Sequence, residues 1–107
     1  MANEEYWPLH KRVEDLLHTL VALHRKVPLR PSPEFRTYKS TSEQFDWLEH
    51  TGIDRHKNRL PVQMEDVGIL RMRELVELVS NRRDDKTFDL THAGLQFHDE
   101  HCDREKH

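Results

Sequence analysis

Arg55, His56, Lys57, Asn58 and Arg59 give the chain an unbroken run of hydrogen-bonding side chains. Their types suit nucleic acid: Arg pairs with guanine, Asn with adenine, and Lys neutralises phosphate. Arg82, Arg83 and Lys86 form a second basic group that could reach a phosphate backbone or a minor groove. The competing account makes 54–59 a solvated loop and lets Asp84 and Asp85 cancel the charge of the second group. His98, His101 and Cys102, with Asp99 and His107 nearby, raise metal chemistry, because His98 and Cys102 are four apart and would share a helix face. A structural zinc needs four ligands, and no second cluster stands elsewhere in the sequence. A polar C-terminal helix end with a free Cys102 thiol is the simpler account, so neither metal nor cofactor is expected. No nucleophile–base pair or spaced carboxylate pair is visible, and three glycines leave little material for a phosphate loop. An enzyme is not expected.

Composition limits what can position these groups. The chain has 107 residues, enough for one domain with one modest core. Apolar and charged residues each make up 35%, so the core must be economical, and dimerisation would bury more surface. The net charge of -3 argues against a general polyanion binder, so any nucleic-acid surface must be local. No apolar run approaches the roughly 20 residues that span a bilayer. Met1 to Glu5 is acidic and lacks the order of a signal peptide. Cys102 is the single cysteine, which excludes an intrachain disulfide. A cytoplasmic protein is the simplest reading. Nine histidines are many for this length, but they are scattered.

The elements follow from periodicity. Pro8 suits a first helical turn, and Leu9, Val13, Leu16, Leu17, Leu20, Leu23 and Val27 then keep helical spacing, which predicts a long helix over 7–27. It is either one core helix or, in part, a dimer seam. His10, His18 and His24 lie among its leucines, and His24 could be a satisfied polar edge or a pH-sensitive one. Pro28, Pro31 and Pro33 predict an extended linker over 28–40, with Phe35 and Tyr38 as anchors. Ser40 with Glu43 and Thr41 with Gln44 are overlapping capping boxes, which predict a helix carrying Phe45, Trp47 and Leu48 and ending at Gly52. Residues 53–79 admit two readings. A helix from Asp54 to near Gly68 would contain Pro61, at about 3 kcal/mol unless it bends. A helix from Pro61 to about Val79 fits the apolar spacing only loosely. Leu75, Val76, Leu78 and Val79 run into the polar segment 80–85, and Phe88 and Leu90 then alternate with polar neighbours, a strand signal. Thr91 can cap a closing helix over 93–102 that carries Leu95 and Phe97.

This order of elements resembles a winged helix-turn-helix. Gly52-Ile53 resembles the turn after the second helix, and Gly68-Ile69-Leu70 the pair that ends the third helix and begins the wing. Asn81 to Lys86 is similar to the Arg/Asp-rich wing tip of MarR-type regulators, and Phe88 to Gly94 resembles their strand-to-helix signature. The resemblance covers roughly residues 41–101. It implies a mostly α fold with one small antiparallel hairpin. It further implies sequence-specific binding of double-stranded DNA by a small transcriptional regulator, a homodimer through its N-terminal helix. A recognition helix would present Arg55, His56, Lys57, Asn58 and Arg59 to the major groove, and a wing would present Arg82, Arg83 and Lys86. The rival is a winged-helix protein-interaction module in which Glu65, Asp66, Glu74 and Glu77 face a partner.

Overall fold

A computed structural model describes residues 10–27, 31–41, 44–52 and 59–102. Helix α1, Lys11–Lys26, is followed by strands β1, Phe35–Lys39, β2, Asp46–His50, and β3, Leu60–Val62. Helix α2, Met64–Met72, precedes strands β4, Val76–Asn81, and β5, Asp85–Leu90. Helix α3, His92–Phe97, continues directly into a π-helical turn, His98–Cys102. The five strands form one antiparallel sheet in the order β3-β2-β1-β5-β4. Among the described residues no helix is long and apolar enough to cross a membrane.

This is an α+β architecture, and it overturns the mostly α winged helix-turn-helix expected from the sequence. The difference lies in residues 35–62. Phe35 and Thr37 are buried while Arg36 and Tyr38 are not, which is the period of a half-buried strand rather than a linker. Ser40 does not cap a helix. Its hydroxyl donates to the Phe45 carbonyl at 2.7 Å and closes the connection between β1 and β2. Trp47 and Leu48, expected on a helix, therefore lie on β2. Pro61 rules out a helix interior, but β3 is an edge strand, where a missing N–H is tolerated. Helix α2 consequently starts only at Met64, later than both readings and shorter than either.

The C-terminal third matches its sequence pattern. Strands β4 and β5 form the hairpin, with Arg82 N–H donating to the Asp85 carbonyl across its tip at 2.9 Å. Thr91 caps α3 by accepting from Gly94 N–H at 2.9 Å, and its own hydroxyl donates to the Glu74 carbonyl at 2.8 Å. The N-cap thereby ties the closing helix back to the start of the hairpin.

The core lies between the helices and one face of the sheet. Val13, Leu17, Leu20 and Val21 of α1 meet Phe35, Leu48 and Phe88 of the sheet and Val67 and Leu70 of α2. Phe35 and Phe88 stack with centroids 5.5 Å apart, and both are fully buried. Each such side chain contributes roughly 1.5–3 kcal/mol of burial. The stripe of α1 is thus covered by the chain's own sheet. The opposite sheet face carries Arg36, Tyr38, Trp47, Glu49, Asp85 and Thr87, as the strand register dictates. Strand β4 is the other edge, and a register shift between Leu78 and Ser80 interrupts it there. Such bulges discourage edge-to-edge pairing.

Candidate nucleic-acid interface

The sheet face away from the core brings together two pairs of aromatic and guanidinium groups. Tyr38 and Trp47 are direct cross-strand partners, so both rings stand on this face. The Arg59 guanidinium lies 4.1 Å from the Trp47 ring centroid, and that of Arg36 lies 5.0 Å from the Tyr38 ring. Phe45 packs edge-on against Trp47 at 4.9 Å. Arg36 also faces Asp85 at 3.3 Å and Glu49 at 3.7 Å, so its charge is shared with two carboxylates. Tyr38 Oη, Glu49 Oε1 and Thr87 Oγ1 are buried on this face without a hydrogen-bond partner. A buried polar group left unpaired costs about 1–3 kcal/mol.

The basic residues singled out in the sequence do not assemble as a recognition helix with a wing. Arg55, His56, Lys57 and Asn58 lie outside the described residues. Arg59 immediately precedes β3 and is exposed, on no helix. Arg82 and Arg83 are exposed at the tip of the β4–β5 hairpin. Lys86 pairs opposite the core-facing Thr37 and turns its ammonium to the Arg82 carbonyl at 3.4 Å. Strand β3 is one sheet edge and the β4–β5 hairpin closes the other, so Arg59 and the hairpin tip are separated by β2 and β1. Helix α2 begins with acid: Asp66, almost fully buried, and Glu65 both hold Arg12 of α1 at 2.8 Å. Hydrogen bonding to Asp66, then to Glu65, holds the Arg12 guanidinium above its ordinary pKa.

The described histidines take separate roles. His10 caps α1, accepting from Arg12 N–H. His24 Nδ1 lies 2.9 Å from the buried Glu34 carboxylate, which makes it a satisfied polar edge. Glu34 also accepts from His50 Nε2 at 2.9 Å, and Gly52 N–H donates to His50 Nδ1, which fixes that tautomer. His98 meets His18 of α1 at 2.8 Å, whereas His101 packs on Phe97 with centroids 4.8 Å apart. The Cys102 side chain lies outside the described residues. Among the described residues no group of three or more His, Cys, Asp or Glu could hold a metal ion. A cleft of about 490 Å³ between α1 and the β2–β3 edge is lined by Leu16, Phe45, Leu48, Leu60 and Val62, with Arg12 and Asp66 among its polar residues.

Comparison with protein-family models, with curated proteins and with solved structures finds no match. Arg36, Trp47, Glu34 and His50 are absent from the site expected from the sequence. Their signal was present in Phe35-Arg36-Thr37-Tyr38, an alternation of strand-forming residues that reads as a half-buried strand.

Proposed function

We propose that the protein is a non-enzymatic nucleic-acid-binding module that receives its ligand on the core-free face of the sheet. One observation carries this reading: the Arg59–Trp47 stack beside the Arg36–Tyr38 stack on neighbouring strands. Sheets with aromatic side chains on an open face bind unpaired bases by stacking, and arginine supplies both a planar surface and phosphate contacts. Arg82 and Arg83, exposed at the hairpin tip, add backbone contacts. Unpaired strands suit this surface better than the major groove of a duplex, because Arg59 stands on no helix. A cytoplasmic setting and a regulatory role accompany the reading. A homodimer through α1 would draw on Leu16 and Leu23, since Val13, Leu17, Leu20 and Val21 face the chain's own core.

The test is an anisotropy titration of random single-stranded and duplex DNA, at low and at about physiological salt. Arg59→Ala, an exposed change, is expected to weaken single-strand binding about tenfold, in line with the loss of one stacking contact. No binding of either form at low salt would sink the proposal. Met72, 83% exposed, and Ile69, 39% exposed, favour a protein-interaction module as the second reading. Partner capture of that kind would survive Arg59→Ala and be lost with Met72→Asp.

A further inference from the structure

The contact between His18 and His98 joins the first helix to the C-terminal turn. His18 Nδ1 and His98 Nε2 are 2.8 Å apart. His98 is 3% exposed, and its Nδ1 lies 3.2 Å from Asp99 Oδ1. Asp99 is in turn held by both oxygens on Arg25 of α1, at 2.7 and 2.8 Å. We propose that His18 and His98 form a proton-operated latch, which holds the π-helical turn on α1 near neutral pH and releases it in acid.

His98 Nδ1–H faces the Asp99 carboxylate, so His98 Nε2 either accepts from His18 Nδ1–H or donates to a bare His18 Nδ1. One proton fits between the facing nitrogens in either case. The latched pair therefore carries at most one of the two positive charges that separate imidazoles acquire in acid. A second proton would set two N–H groups against each other at hydrogen-bond distance and leave neither an acceptor. The surrounding charges do not relieve this conflict. Arg25 and Asp99 neutralise each other, and Glu100 pairs with His101 on the turn itself at 3.7 Å. Glu14 stands one helical turn below His18 on α1 and Asp15 pairs with Lys11, and neither can stand between nitrogens 2.8 Å apart. Histidine is the side chain whose ordinary titration falls in this pH range, so opening belongs to the interval below neutrality.

The experiment is amide hydrogen exchange of residues 98–102 at about pH 7.5 and about pH 5.5, corrected for the intrinsic rate and run with a chelator present. The wild type is expected to lose protection by up to about tenfold per pH unit, as one linked proton dictates. His18→Asn places an amide at the Nδ1 position that can donate or accept by flipping, so it holds the turn closed at both pH values. His98→Gln does the same from the other side and guards against one variant failing to fold. Flat wild-type protection across the interval overturns the latch, and so does an equal loss in both variants.

Discussion

Glu74 is the one described non-glycine residue with positive φ, at 61°. It sits just past α2, where Leu75 N–H donates to the Leu70 carbonyl and Glu74 N–H to the Arg71 carbonyl, the hydrogen bonds of a Schellman cap. Glycine relieves that conformation, so Glu74→Gly is expected to raise stability by about 0.5–1 kcal/mol in urea unfolding. Glu34 has the opposite character. Its carboxylate is the acceptor for the buried His50, and Glu34→Ala leaves the Nε2–H of that ring without an acceptor at a cost of about 1–3 kcal/mol by the same measurement. Asp99 contributes a pH dependence. Hydrogen bonding from Arg25, then from His98, holds its carboxyl below the usual carboxylate range. Its stabilisation is therefore complete above the ordinary aspartate value of about 4 and is lost as pH falls through the lowered one. In a His18→Asn background, where the latch stays closed, Asp99→Asn should lower the melting temperature at about pH 6, with the gap closing as pH falls through that lowered value.

At the scale of elements, Gly68 and Gly94 have opposite meanings. Gly68 lies within α2 with open space where a Cβ would stand, so Gly68→Ala should stabilise by about 1 kcal/mol through helix propensity. Gly94 packs α3 against the Leu75 backbone, and a Cβ there would collide with the Leu75 carbonyl oxygen. Gly94→Ala should destabilise by about 3 kcal/mol through overpacking, and chemical unfolding of the pair reads the reversed sign. Helix α1 and strand β5 with its capped closing helix were legible in the sequence because each keeps one period without interruption, whereas 76–79 fitted a helix as well as a strand. The capping boxes at 40–44 misled because Ser40 has two uses. The same hydroxyl that caps a helix can close a turn, and here it bonds the Phe45 carbonyl. Neither reading of 53–79 placed the helix, since Pro61 and Val62 belong to β3 and Glu74 ends α2 before Leu75.

For the whole molecule, the sheet decides which basic residues can cooperate. Arg59 and the hairpin tip stand at opposite edges, so a ligand contacting both must cross the sheet. If it does, Arg82→Ala with Arg83→Ala should lower the slope of log affinity against log salt by about 2 and weaken all sequences alike, as anisotropy at several salt concentrations would read. The candidate face was hardly legible in advance. Tyr38 appeared as an anchor and Arg59 as a base reader, while Trp47 was assigned to a helix. Nothing local indicates that Tyr38 and Trp47 are partners, because strand pairing joins residues distant in sequence.

The sequence by itself determined the helix of α1, the strand around Phe88 and Leu90 and the Thr91 cap, since each rests on hydrophobic period or on hydrogen bonds within a few residues. Only the tertiary structure decided that 35–39, 46–50 and 60–62 are strands. Short segments have weak intrinsic preference, and their conformation is settled by the neighbours that complete their hydrogen bonds. The same holds for the contacts that carry the chemistry. His18 with His98, Glu34 with His50 and Arg59 with Trp47 each join separate elements, so they exist only once the sheet and its helices have packed.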